Sequence, residues 1–219
     1  AAAGDTPVAM LDTWDQCGDY FPEVEAFCGA ANVRVRFKRE MLDGAAYSER
    51  TAPLPFGYDA KQTPREVVFA NRSGLFWIGS PQYGARRQKL EWLGKHIGLD
   101  VTRKCGQEQY RRELLAAAAG LSLFGNGFDT VRYWELPAHG CMLIAERPPI
   151  RIPHNFTNGV NAVFFDDLPE LEDILAHYLA RPEEMRRIAE AGYTHFHQYH
   201  TSHARAKQLL GVLERMGRE

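Results

Sequence analysis

Two glycine-rich loops carry the residue types best suited to chemistry. The first, Gly79-Ser80-Pro81-Gln82-Tyr83-Gly84, follows a short apolar run and leads into Arg86 and Arg87. Glycine lets backbone approach a ligand closely, and a helix start offers free N–H groups with partial positive charge. Cations in a first turn oppose the helix dipole, so two arginines there suit a bound anion. A plain β-to-α turn with solvated arginines is the other reading. No full G-x-G-x-x-G is present, so the strict dinucleotide fingerprint is missing. The second loop, Gly125-Asn126-Gly127-Phe128-Asp129-Thr130, runs into Arg132 and Glu135. Glycines flanking Asn126 permit a turn whose amides face one way, a shape suited to phosphate or sugar oxygens. The Glu135 carboxylate could accept both vicinal hydroxyls of a ribose, or could be an ordinary surface acid.

Other clusters point less clearly to a site. His195, His197, His200 and His203 are close in sequence, but His-x-His on a helix directs the rings apart and no acid completes a metal set. They read as packed or solvated histidines, and the chain is expected to hold no metal. Asp166-Asp167 reads as a strand end plus a helix cap, and Asp12, Asp15 and Asp19 as a solvated acidic turn. There is no G-x-S-x-G, Walker loop, H-E-x-x-H or D-x-D. The four cysteines, Cys17, Cys28, Cys105 and Cys141, include no C-x-x-C pair and read as reduced thiols of a cytoplasmic protein.

The elements that must position the loops follow from apolar pattern and punctuation. Val8 to Leu11 reads as a buried strand, and Val33-Arg34-Val35-Arg36-Phe37 as a strand with one wet face. Pro53-Leu54-Pro55-Phe56-Gly57 with Pro64 reads as a linker. Beyond it, strands are expected at Leu75–Ile78, Leu99–Thr102, Leu121–Phe124, Cys141–Ala145 and Ala162–Phe165. Between them lie an amphipathic helix carrying Leu90, Leu93 and Ile97, a helix over Tyr110–Ala118, and one over Val131–His139 that Pro137 should kink or shorten. Helices opening at Asp167, ending near Gly192 after Pro182, and capped by Thr201 complete the chain. Continuous apolar strands alternating with helices predict a doubly wound, parallel α/β sheet over residues 61–219, preceded by an incomplete α/β segment over residues 1–60.

Composition sets the outer bounds. The 219 residues are 45% hydrophobic and 25% charged, with 26 Lys+Arg against 28 Asp+Glu and a net charge of -2. That balance argues against a nucleic-acid partner, and no apolar run is long enough for a membrane helix.

Glu135-Leu136-Pro137-Ala138-His139-Gly140-Cys141-Met142-Leu143 resembles the Glu-Ala-x-Ala-x-Gly-x-Pro-Val segment in the nucleotide-binding half of GT-B glycosyltransferases. Thr130–Glu135, Phe156–Val163, Glu170-Leu171, Arg187–Ala189, Ala191-Gly192, His200-Thr201 and Arg205 follow in the family's order. Together with Phe37-Lys38-Arg39-Glu40, they are most similar to the bacterial subgroup related to spore-maturation glycosyltransferases. The resemblance implies a Rossmann-like donor domain that binds a UDP- or GDP-type nucleotide sugar and transfers the sugar to a glycan or other acceptor. It implies that Glu135 binds the ribose and that Asn126 to Thr130 lie by the sugar and diphosphate. Arg86 or Arg87 would offset diphosphate charge, with no metal or other cofactor required. Gly127 stands where many retaining members carry a second glutamate, and Pro137 and His139 replace small residues. About sixty residues stand in place of a full acceptor domain, so the resemblance implies a fragment or a much reduced first domain. A non-catalytic sugar-nucleotide or glycan-binding module, and a GT-B-like epimerase, are the alternatives.

Overall fold

The computed structural model describes residues 8–15, 22–83 and 85–216. Two parallel sheets organise the chain. The first has the order β1-β2-β3, with β1 at Val8–Asp12, β2 at Val33–Lys38 and β3 at Thr51–Pro53; helix α1, Pro22–Ala30, connects β1 and β2. The second has the order β4-β5-β6-β7, at Leu75–Phe76, Ala119–Ser122, Met142–Glu146 and Val163–Phe165. Every pairing within both sheets is parallel. The expected α/β class is therefore the observed one.

Helices cover both faces of the second sheet, which is why β5, β6 and β7 are buried along their whole length. On one face, Leu90 and Leu93 of α2 (Arg86–His96) and Leu171 and Leu175 of α5 (Leu168–Leu179) pack with Leu121, Ile144 and Phe165. On the other, Leu114 of α3 (Gln107–Ala116) and Trp134 and Leu136 of α4 (Val131–Ala138) pack with Phe76, Leu143 and Phe164. Helices α6 (Pro182–Tyr199) and α7 (Ser202–Met216) close the chain, and α7 returns to pack on β2.

Local chemistry explains most boundaries. Asp167 caps α5 by accepting from the Glu170 N–H, and Thr201 Oγ1 accepts from the Ala204 N–H at the start of α7. Pro137 lies in the last turn of α4, where its missing N–H removes one i→i−4 bond and the helix ends one residue later. Gly140, at φ +74°, then ends the helix in a Schellman arrangement: Cys141 N–H donates to Leu136 O and Gly140 N–H to Pro137 O.

Three expected elements differ. Leu99–Thr102 is a loop and turn, since nothing pairs with it along the edge of β4. β2 is wet only at Arg34: Arg36, where exposure was expected, and the following Lys38 are buried because both pair with Asp12 at the end of β1. Asp12 is thus a paired strand-end acid, its carboxyl lowered by those cations against the cost of burial; Asp19 and Cys17 lie outside the described residues. Helix α6 runs straight through Gly192, because that glycine meets neighbouring backbone: a Cβ there would lie 2.6 Å from Asn161 O. Gly192→Ala should therefore lower stability by about 1–3 kcal/mol despite alanine's better helix propensity, as read by urea unfolding.

Candidate functional site

The C-terminal ends of β4 and β5 open into a cavity of about 290 Å³, the position where open parallel sheets bind ligands. Six sequence-predicted residues line it: Gly79, Ser80, Arg86, Thr130, Arg132 and Glu135. Trp77 and Tyr110 complete much of the wall.

Arg86 opens α2 and ties the two strand ends together. Its guanidinium donates to Phe124 O (2.8 Å), Leu123 O (2.7 Å) and Ser80 O (3.2 Å). Gly125 leaves the room this needs, since a Cβ would sit 3.1 Å from Arg86 Nη2. Burial lowers the Arg86 pKa, and the charge of nearby Arg132 lowers it further. Two like charges facing one cavity are costly without an anion between them. Glu146, at the end of β6, answers part of that charge; it accepts from the Phe124 N–H at 2.6 Å and pairs with Lys89.

Helix α4 presents Arg132 and Glu135 one turn apart, which puts both on the face toward the cavity. Arg132 Nη2 donates to Ile78 O (2.6 Å), and its Nε lies 3.5 Å from Glu135 Oε2. Its guanidinium stacks near Phe76, Trp77 and Tyr110, 5.4–5.7 Å from the ring centres. Glu135 accepts from Tyr110 Oη at 2.5 Å and from Tyr58 Oη at 3.4 Å. Burial, then the carboxylate's charge, raises the Tyr58 pKa; burial also raises that of Tyr110. Two donors remain unanswered. Arg132 Nη1 and the Trp77 indole Nε1 are buried with no hydrogen-bond partner among the described residues. Neither α2 nor α4 has a side-chain N-cap: Ala85, before α2, has no side-chain acceptor, and Thr130 Oγ1, before α4, bonds Ser122 Oγ instead, at 3.0 Å.

The remaining predicted residues lie elsewhere. Arg87 is exposed and pairs with Glu91 along α2. Asn126 is exposed at the tip of its loop. The amides of Phe128 and Asp129 both donate to the buried Glu40 carboxylate, at 3.0 and 2.9 Å. A Cβ on Gly127 would fall 2.3 Å from Glu40 Oε1, so that glycine admits the carboxylate. Asp129 accepts from Phe56 N–H (2.6 Å) and Trp134 Nε1 (2.7 Å), joining the linker to α4. Gly84 lies outside the described residues. Sequence reasoning missed Trp77, Tyr58 and Tyr110, whose positions depend on how the chain from Pro55 to Arg72 and helix α3 wrap the rim.

The histidines are structural. His200 is buried, receives Arg205 Nη2 on Nδ1 at 2.8 Å, and is driven down to about 2 by burial and that cation. His195 bonds His154 O. Among the described residues, no group of three or more His, Cys, Asp or Glu could hold a metal.

Comparison with known proteins agrees with this architecture. The model of a family described as glycosyl transferase-like matches residues 71–211, well over half of the chain, and the chain belongs to that family. No curated protein matches significantly. Among solved structures, HepE of Anabaena, in complex with UDP, is similar at a TM-score of 0.61 and 13% identity, over 95% of this chain and 72% of that one. Sucrose-phosphate synthase from Thermosynechococcus elongatus is similar at 0.54 and 13%, over 98% of this chain. A glycosyltransferase from Rickettsia africae gives 0.56 at 7%, over 90% of this chain and 68% of its own. The chain spans 59% of the length of the sucrose-phosphate synthase chain. These likenesses establish the GT-B-like fold. No helix among the described residues is long and apolar enough to cross a membrane.

Asp129 gives the site a pH signature. Burial raises its carboxyl to about 6, against the Phe56 and Trp134 hydrogen bonds that hold it down. The folded chain then binds the proton more tightly than the unfolded chain, so this group's contribution to stability falls as pH rises from about 4 to 6. Asp129→Asn should flatten that slope. It should also cost about 1–3 kcal/mol, since the amide sets a donor against one of two N–H groups. Melting curves across that range measure both.

Proposed function

We propose that this chain is the donor-binding part of a glycosyltransferase that takes a sugar from a UDP- or GDP-type nucleotide sugar. The observation that carries the reading is the cavity at the β4 and β5 ends. It faces Arg86 and Arg132 toward one space and leaves buried donors on Arg132 and Trp77 without partners. The diphosphate lies between these guanidinium groups and the uncapped starts of α2 and α4, where backbone N–H groups supply further donors. The ribose hydroxyls take the Glu135 carboxylate, displacing one or both tyrosine hydroxyls. As the sugar–phosphate bond breaks, negative charge grows on the departing nucleotide diphosphate, and the two fixed cations stabilise it without a metal or other cofactor. HepE, similar in fold, has been solved with UDP and with UDP-glucose.

The finer assignments belong to the same proposal. Residues 61–219 form the nucleotide-sugar domain and residues 1–60 the end of an acceptor-side domain. The acceptor is a glycan or a small molecule, the enzyme works in the cytoplasm, and its relatives are the spore-maturation-like glycosyltransferases. Arg87 and the loop from Asn126 to Asp129 act from the periphery, the loop by holding Thr130 and α4 in place.

Thermal melting with UDP, GDP, UDP-glucose and GDP-mannose tests the reading. A cognate nucleotide at 100 times its dissociation constant should add about 2.7 kcal/mol of stability, and a chelator should leave that gain unchanged. Arg132→Ala and Glu135→Ala should each weaken binding by about tenfold or more. Absence of any shift with all four ligands would overturn the proposal. Unchanged affinity in Glu135→Ala would remove that carboxylate from the ribose site.

A further inference from the structure

Another cavity, of about 820 Å³, shares no lining residue with the proposed donor cavity. Its walls come from the turn into β3, the end of α6 and one face of α7. Arg50, Lys207 and Arg215 line it against a single acid, Glu49, in a chain whose overall charge is -2. All three cations are exposed, and none forms an ion pair among the described residues.

Helix α7 shapes the floor. Lys207, Gly211 and Arg215 recur every four residues and so share one face, with glycine between two cations. Glycine inside a helix is unfavourable unless space or backbone demands it. Nothing demands it here: a Cβ on Gly211 would meet only Arg215 Nη1, at an ordinary 3.7 Å. The vacant position opens directly beneath the cations. On the opposite wall the Thr51 hydroxyl is buried with no partner among the described residues. At the rim, His154 and Tyr199 stack with ring centres 4.4 Å apart and planes within 13°.

From these features we propose that the cavity is a second binding site, separate from the donor site, for an acidic saccharide chain. Its carboxylate or phosphate groups would pair with Arg50, Lys207 and Arg215. Its hydroxyls would reach Thr51, a sugar ring would lie over Gly211, and the stacked aromatic pair would border the chain. The volume falls in the range of sites that enclose a small ligand, so it takes two or three sugar units. The site would hold a charged glycan on the flank of the protein, whichever nucleotide the donor cavity takes.

A galacturonate tetrasaccharide, the neutral galactose tetrasaccharide and an oligo-dT strand, each titrated by calorimetry, test this. The acidic sugar should bind at least about tenfold more tightly than the neutral one, and more weakly as salt rises. Lys207→Glu with Arg215→Glu should abolish binding, while Arg112→Glu with Arg187→Glu, equal in charge and remote from the cavity, should preserve it. Gly211→Leu should lose the saccharide while raising the melting temperature, a pairing that separates a filled site from a damaged fold. None of these variants should alter the melting shift given by a nucleotide, so failure here and failure of the donor reading are distinct results. Four outcomes would overturn the proposal: equal binding of neutral and acidic sugars, equal loss in both charge-reversed pairs, tighter binding of oligo-dT, or no binding at about 10 mM saccharide.

Discussion

The carboxylate of Glu40 holds the two sheets in register. It is fully buried, follows β2 of the first sheet, and accepts the amides of Phe128 and Asp129 in the loop that follows β5 of the second. An ionised carboxylate removed from water is costly unless hydrogen bonds and a nearby cation replace its solvation. Two backbone N–H groups and the Arg39 guanidinium, 3.6 Å away, supply that here. Arg39 itself reaches Asp15. Asp129 extends the joint by accepting from Phe56 on one side and Trp134 on the other. Helix α4 is thereby anchored from the first sheet, and with it the angle at which Arg132 and Glu135 face the cavity.

The same joint explains why the loop amides are not free for a ligand. An anion does sit on them, but it belongs to the protein. The positive charge that faces the cavity comes instead from Arg86 and Arg132, each fixed by backbone carbonyls at a strand end. Preorganised cations of this kind would lose little entropy on binding an anion such as the proposed diphosphate, because their rotamers are already set.

Much of this could be read from residue order. Helix α2 showed its apolar periodicity in Leu90, Leu93 and Ile97, Asp167 marked the start of α5, and the arginines after the first glycine loop pointed to an anion because the dipole argues against them. Glu135 was visible from its spacing after the glycine loop. Three kinds of feature escaped, each non-local. Val33 to Phe37 looked half-wet because alternating apolar and basic residues normally mean solvent on one side, whereas Asp12 on the neighbouring strand accepts the charge of Arg36. Leu99 to Thr102 has strand-like residues but no partner along β4. The roles of Glu40, Tyr58, Tyr110 and Trp77 depend on contacts made across 25 to 89 residues of chain, which no local pattern encodes.

The tyrosine pair on Glu135 has a consequence for recognition. Burial raises the pKa of both phenols, and the carboxylate's charge raises them further, so both stay protonated donors at neutral pH. The carboxylate therefore sits in a hydroxyl-lined socket, with one phenol donating to each of its oxygens. On the proposed function, ribose hydroxyls would replace these phenolic donors on a carboxylate that is already oriented to accept O–H groups.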